Sequence, residues 1–233
     1  MSYRLKLFAL LLCVLAVFFA LHTGYSALNT LSRLDLVEAQ RDLWQQPAAI
    51  LQALAIRPGD VIADLGCGSG YFSLKLSPQT GKTGRVYAED IRRLPLIFLW
   101  FRAMEKGDRN IAIVHGDPAD PHLPVNQVND FLILNTYHEL ADSQAILAHV
   151  RESLVARGRL VIVDRTPNPS HEGDGGLAEH EISSERVETE LRQAGFEIAA
   201  RQDRFIAMDP DNESWWLIVA LKPSVAESPG ETR

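Results

Sequence analysis

Cysteine and basic residues are scarce in this sequence of 233 residues. Only Cys13 and Cys67 are present, which excludes a fold held together by several disulfides. Lys and Arg number 23 against 30 Asp and Glu, and the net charge of −7 argues against a general nucleic-acid-binding surface, so no nucleic-acid partner is expected. With 46% hydrophobic and 23% charged residues, the chain has the composition of a globular protein rather than of a disordered or fibrous one.

One apolar run near the N-terminus departs from this composition. Residues 7–21 read LFALLLCVLAVFFAL, and Arg4 and Lys6 precede them. At about 1.5 Å per residue this helix would span about 23 Å, short for a hydrocarbon core of about 30 Å but sufficient where the bilayer thins. We predict a single N-terminal membrane anchor that contacts the bilayer through residues 5–21. The alternative is a signal peptide cleaved after Gly24-Tyr25-Ser26, which would leave an exported protein.

Beyond residue 26, short apolar runs alternate with amphipathic stretches. Strands are predicted at residues 61–65, 85–89, 111–114, 130–134, 159–163, 196–201 and 215–221. Helices are predicted at residues 48–56, 71–76, 94–106, 143–156 and 184–194.

This alternation predicts an α/β fold with a doubly wound, Rossmann-like, mostly parallel sheet of seven strands. The last two strands are expected to form an antiparallel hairpin at its edge, and the N-terminal hydrophobic helix is added to the fold. The predicted organisation is an anchor or signal segment over residues 1–26, one domain over residues 27–222, and a polar tail over residues 223–233.

The most specific motif is Asp64-Leu65-Gly66-Cys67-Gly68-Ser69-Gly70, which ends the first predicted strand and opens a helix. Glycines permit positive φ and let the backbone approach a ligand, while a helix N-terminus offers free N–H donors. The glycines are spaced G-x-G-x-G, whereas a dinucleotide fingerprint is G-x-G-x-x-G, and Tyr71 occupies its third glycine position. A nicotinamide oxidoreductase is therefore the less favoured alternative.

From about Arg41 to Lys222 the sequence resembles the class I S-adenosylmethionine-dependent methyltransferases, because DLGCGSG is similar to the first motif of that family. Residues 41–47, RDLWQQP, are similar to a signature of a bacterial subgroup. The resemblance implies methyl transfer from S-adenosylmethionine. It also implies that the three glycines shape a loop around the methionine and ribose of the cofactor, and that Asp64 holds this loop or, through water, the cofactor ammonium.

Acidic and amide side chains follow the next three strands. Asp90 lies 20 residues beyond the last glycine, and the resemblance implies that it accepts both ribose hydroxyls, with Ile91 packed on the adenine. Asp90 is preferred to Glu89, for which a solvated position is the alternative. The resemblance further implies that Asp117 accepts from the adenine amino group. Asn135 is expected to orient the methionine amine or the acceptor.

Catalytic candidates follow Asn135. His138 is the best candidate general base, since an imidazole takes protons near neutral pH, and the alternative is a histidine that orders its own loop. Tyr137 either flanks the transferred methyl group or packs in the core. The family often has a histidine where His180 stands, which implies that His180 closes the acceptor pocket. The acidic residues around it fit no defined ligand spacing, so no metal site is predicted.

A second apolar stretch, LPLIFLWF at residues 94–101, is either a buried helix that covers the sheet or an interfacial helix with its arginines on lipid headgroups. With the N-terminal run it favours a small, lipophilic acceptor. We therefore predict a methyltransferase for a small-molecule acceptor. The alternative in another class is a protein that binds the cofactor without catalysis, because many relatives carry aspartate where this chain has Asn135.

Overall fold

A computed structural model describes residues 3–171, 176 and 179–224, in two compact units, Met1–Leu43 and Trp44–Arg233. Helix α1 extends from Tyr3 to Trp44. Its stretch Leu10–Trp44 is the one helix of the described ranges that is long and apolar enough to cross a membrane, because its most apolar 18 residues have a mean hydropathy of 1.9 and none of them is buried. An anchor and a signal sequence both have such a helix. Helix α1 continues through residues 26 and 27 without a break. The predicted boundary between the segment 1–26 and the domain 27–222 stays a prediction.

The second unit is built on a sheet of seven strands in the order β3-β2-β1-β4-β5-β7-β6. The strands are β1 (Val61–Leu65), β2 (Arg85–Asp90), β3 (Ile111–His115), β4 (Val128–Leu134), β5 (Leu154–Arg165), β6 (Glu197–Ile206) and β7 (Trp215–Leu221). Strands β1 to β5 are parallel, and β7 is antiparallel to both β5 and β6. The prediction of a mostly parallel sheet with an antiparallel hairpin at its edge is confirmed.

Helices cover both faces of this sheet. They are α2 (Pro47–Leu54), α3 (Ser73–Thr80), α4 (Arg93–Lys106), α5 (Ser143–Ser153) and α6 (Ser184–Gln193). Apolar residues of α2 and α3 pack on one face, and those of α5 and α6 pack on the other. The predicted helix over residues 143–156 is too long, because β5 begins at Leu154, which is buried and pairs with Val128 of β4.

Strand β7 pairs with β5 and β6 along its two edges, and it is buried on both faces because its alternate side chains join the core clusters on the two sides of the sheet. Its first two residues, Trp215 and Trp216, point to opposite faces and join different core clusters. The indole N–H of Trp215 donates to Asp209 Oδ2 at 2.9 Å, and that of Trp216 donates to the Ile182 carbonyl at 2.7 Å. Each buried indole therefore has its hydrogen-bond partner.

Candidate active site

The glycine loop, residues 66–70, follows β1 at the carboxyl edge of the sheet. Strand β1 lies between β2 and β4, which is the point where the strand order reverses and where open α/β sheets bind ligands. Gly70 has φ 90°, and a Cβ there would overlap Leu99 of α4. Gly68 has φ 55°, and a Cβ there would meet no atom of the described residues within 4 Å, apart from its chain neighbours. The loop therefore packs tightly at Gly70 and borders open space at Gly68.

Two buried carboxylates hold this loop. Asp64 Oδ2 accepts a hydrogen bond from Ser73 Oγ at 2.6 Å, at the start of α3. Asp90 Oδ2 accepts from the Gly68 N–H at 2.9 Å, and its Oδ1 accepts from the Arg92 N–H at 2.8 Å. The carboxylate of Asp90 thus ties the end of β2 to the glycine loop.

Glu89 is buried rather than solvated, with 3% of its surface exposed, so the solvated alternative is wrong. The loops after β1 and β3 cover the end of β2, and the backbone N–H groups of Gly66 and Gly116 near the Glu89 carboxyl favour its ionised form and so lower its pKa in part. Burial raises the pKa of this carboxyl to about 8, and the neighbouring Asp90 adds to the shift. Glu89 therefore carries a proton at neutral pH.

His138 forms a buried pair with Asp164, a residue that the sequence did not single out. His138 lies in a short 3₁₀ turn (Tyr137–Glu139) after β4, and its Nδ1 is 2.8 Å from Asp164 Oδ1 at the end of β5. Asp164 Oδ2 also accepts from the His138 N–H at 3.1 Å. Because an ionised carboxylate can only accept, Nδ1 carries a hydrogen, and in the neutral imidazole Nε2 is then the acceptor. Nε2 lies 3.7 Å from Glu139 Oε1. The sequence signal that could have identified Asp164 is an aspartate at the carboxyl end of an apolar strand.

Asn135 places a buried acceptor atom at the same edge of the sheet. It follows β4 with φ 54°, and its N–H donates to the Val163 carbonyl at 2.8 Å. Its side-chain Oδ1 is buried and has no hydrogen-bond partner among the described residues. An unsatisfied buried acceptor is costly, so this atom suits a ligand that brings N–H donors, as the ammonium of S-adenosylmethionine does. Together with the open space at Gly68, the residues present fit that cofactor.

The sequence profile of the ubiE/COQ5 methyltransferase family matches residues 11–171, more than half of the chain. The chain belongs to this family. It is an S-adenosylmethionine-dependent methyltransferase, and the predictions of fold, enzyme class and cofactor are confirmed. A curated relative, nocamycin O-methyltransferase of Saccharothrix syringae, is 26% identical over 121 residues, which cover 52% of this chain and 43% of that protein. The match thus spans less than half the length of this relative.

Solved structures share the fold of this methyltransferase. An S-adenosylmethionine-dependent methyltransferase from Aquifex aeolicus has a TM-score of 0.69 and 21% identity, covering 82% of this chain and 97% of that one. The geranyl diphosphate C-methyltransferase of Streptomyces coelicolor A3(2) has a TM-score of 0.65 and 16% identity, covering 76% of this chain and 80% of that one. At these identities the likeness shows the fold alone.

Tyr137 and His180 of the methyltransferase have different surroundings. Tyr137 lies in the core, and its hydroxyl donates to Glu190 Oε2 at 2.7 Å. Burial and Glu190 raise the pKa of this hydroxyl, so it stays protonated. These contacts correspond to the core-packing alternative. His180 is exposed, and its ring stands edge-on to that of His138 with 5.5 Å between the centroids.

The residues expected at the adenine lie on an open rim next to Asp90. Ile91 is half exposed. The carboxylate of Asp117 is exposed and pairs with His122 at 3.1 Å. Asp117 also exchanges backbone hydrogen bonds with Asp120, which makes this segment a tight turn. The roles of Ile91 and Asp117 toward the cofactor stay predictions.

Two groups of side chains in the described ranges each bring three possible metal-ligand atoms within 4.8 Å of one another: His138, Glu139 and His180, and His171, Glu181 and Glu213. In the first group the Nδ1 of His138 is already bound to Asp164. In the second group His171 Nδ1 lies 2.7 Å from Glu181 Oε1, and Arg165 pairs with Glu213 at 3.0 Å. The expectation of no metal site stays a prediction.

Proposed function

We propose that this methyltransferase methylates a small, lipophilic acceptor at a membrane and that His138 takes the proton which the acceptor loses. The buried pair of His138 and Asp164 carries the proposal, because it keeps Nε2 as an acceptor at the edge of the sheet where the glycine loop lies. Asp164 is a positioning residue that also stabilises the imidazolium, as the buried carboxylate does in other carboxylate–histidine pairs.

S-adenosylmethionine supplies an activated methyl group when it is bound. We assign the glycine loop and the unpartnered Oδ1 of Asn135 to its methionine part, Asp90 to its ribose, and Ile91 and Asp117 to its adenine. The hydrogen bond from the Gly68 N–H to Asp90 supports this assignment, since it joins the first two of these elements. A neutral Glu89 avoids placing two adjacent charges beside the ribose.

The bound cofactor would supply the methyl group and leave as S-adenosylhomocysteine when its S–CH3 bond breaks, and His138 Nε2 would take the O–H or activated C–H proton that the acceptor loses. His180 is proposed to close the acceptor pocket, which is supported by its ring contact with His138. The Tyr137 hydroxyl is bound to Glu190 and takes no part in this step.

The membrane part of the proposal is supported by α1, whose apolar window is unburied, and by exposed apolar residues of α4. A lipid-soluble acceptor would reach an enzyme held at the bilayer without crossing much water. We further propose that α1 is retained as an anchor rather than cleaved as a signal sequence.

The role of His138 is tested with methyl-labelled cofactor in three full-chain variants. His138→Gln and Asp164→Asn are expected to lower label transfer about 10²- to 10⁴-fold while cofactor affinity, measured by calorimetry, is kept. Tyr137→Phe, a neighbour in the same turn, is the matched control and should transfer label as the unmodified chain does. Full activity of His138→Gln would leave His138 as a residue that only orders its loop.

The acceptor class is tested by offering the same labelled cofactor with lipid and aqueous extracts of source cells. We expect label in the organic phase, and a loss of transfer when lipid is omitted. Label in water-soluble products alone, independent of lipid, would contradict a lipophilic acceptor. Cofactor binding without transfer to either extract would instead support the protein that binds without catalysis.

A further inference from the structure

The outward face of α4 is apolar although it is exposed. Leu94, Ile97, Trp100, Phe101 and Met104 have exposed fractions between 49% and 64%. We call these five residues the outer stripe. Their spacing of three or four residues places them on one side of the helix. Contiguous apolar surface of this kind marks an interaction site rather than scattered exposed residues.

The opposite face of α4 packs against the glycine loop. Leu96 and Leu99 are buried with Cys67 and Ala88. Arg102 is also buried, and its NH1 donates to the Ser69 carbonyl at 2.7 Å. Because these contacts set the rotation of the helix, the outer stripe cannot turn inward without breaking them. The apolar face is therefore a permanent part of the surface of this unit.

Charge and aromatic residues indicate what this surface contacts. Arg92 and Arg93 stand at the start of α4 and Lys106 at its end, and all three are exposed. The Arg92 guanidinium also pairs with Asp90 at 3.3 Å, and Arg93 Nε donates to His115 Nε2 at 3.4 Å. Basic residues at both ends of an apolar face are suited to anionic headgroups around a shallow apolar insertion. Trp100, which packs edge-on against Phe101 with 4.9 Å between the centroids, is of the residue type enriched at membrane interfaces.

We propose that the outer stripe of α4 lies in the interfacial region of an anionic lipid bilayer, as a second membrane contact in addition to that of α1. This inference rests on the part of the proposed function that places the enzyme at a membrane. It makes the bilayer the partner of a helix whose inner face supports the glycine loop.

Tryptophan fluorescence of the full chain in vesicles tests this contact. Trp215 and Trp216 are buried and Trp44 is half-buried, so Trp100 is the most exposed of the four tryptophans. The vesicles contain phosphatidylcholine and phosphatidylglycerol, with a quencher on the acyl chain close to the headgroup. A helix face lying about 5–10 Å deep would lower the Trp100 emission about twofold or more, and the difference from Trp100→Phe isolates this signal.

A charged double variant tests whether the stripe causes the insertion. Ile97→Glu with Phe101→Glu should abolish the quenching of Trp100 while α1 keeps the chain in the vesicle. The matched control is Val125→Glu with Met208→Glu, which places the same charges at exposed apolar positions outside α4 and should leave the quenching unchanged. Quenching should also be weaker in phosphatidylcholine alone, because the basic residues at the helix ends then lose their anionic partners.

Three results would overturn the inference: unquenched Trp100, equal quenching with and without phosphatidylglycerol, or a dimer in detergent that dissociates in the Ile97→Glu, Phe101→Glu variant. The last result would make the stripe a contact between two copies of this chain. Since quenching requires no turnover, a wrong acceptor class would leave it intact. A failed quenching experiment would likewise leave the roles of His138 and Asp164 standing.

Discussion

Replacing Glu89 by glutamine should flatten the pH dependence of stability. The folded protein holds this carboxyl in its neutral form, because burial raises its pKa from 4.5 to about 8. Between these two values the folded chain binds a proton that the unfolded chain has released. The stabilisation is therefore complete below the unfolded pKa and is lost as the pH rises through the folded pKa.

The magnitude follows from the size of the shift. Each pH unit well between the two pKa values lowers the free energy of unfolding by about 1.4 kcal/mol, and the slope is smaller near either pKa. Glu89 therefore accounts for a loss of about 3 kcal/mol or slightly more between about pH 5 and about pH 8. Glutamine has nearly the same shape and cannot titrate. Asp130 and Glu213, whose pKa values are also raised by burial, are present in both proteins and cancel in the comparison.

Urea unfolding followed by tryptophan fluorescence, in one detergent and at several pH values, measures the two slopes. Because the slope against pH is compared, a constant difference in stability between the proteins has no effect. We expect the unmodified chain to lose about 3 kcal/mol more than Glu89→Gln over this range. Parallel slopes would refute the reasoning and would mean that the Gly66 and Gly116 N–H groups keep Glu89 ionised in spite of burial.

Three further substitutions separate packing from function. Gly70→Ala should lower the free energy of unfolding, measured by thermal unfolding, by about 2–5 kcal/mol. The added Cβ would overlap Leu99, and the backbone at this position has a positive φ that alanine disfavours. Gly68→Ala should lower the free energy of unfolding by only about 1–2 kcal/mol, because its Cβ meets open space. It should weaken cofactor binding at least about tenfold in calorimetry, because that space at the glycine loop is the one proposed for the cofactor. Tyr137→Phe should cost about 1 kcal/mol in urea unfolding by losing its bond to Glu190; no loss would mean that this hydrogen bond contributes nothing.

Local patterns were sufficient for much of the fold. Strands β1 and β7 have their predicted bounds, because each is a compact apolar run between turn residues. The end of α5 was missed since Val155 and Ala156 continue its pattern, while the pairing of Leu154 with Val128 that starts β5 lies outside any local window. Helical periodicity did not distinguish the two faces of α4, because apolar residues occupy both.

The candidate site was predictable where a motif is contiguous. The glycine loop and Asp90 stand together as the motif spacing indicates. Asp164 was missed because it meets His138 across the ends of two neighbouring strands, 26 residues apart in the chain. Glu89 was misjudged because the two loops that cover it come from β1 and β3, and their closure over β2 follows from the sheet order rather than from nearby residues.

The two tryptophans of β7 have a consequence for how the strand finds its register. A slip by one residue would put one tryptophan in the place of the other and leave the second place to Leu217 or Ser214, so the two sites could not both be filled by an indole. Asp209 and the Ile182 carbonyl lie on opposite faces, and at least one of these buried polar groups would then lose its indole N–H partner. In this strand two bulky side chains and their two polar contacts together select one alignment.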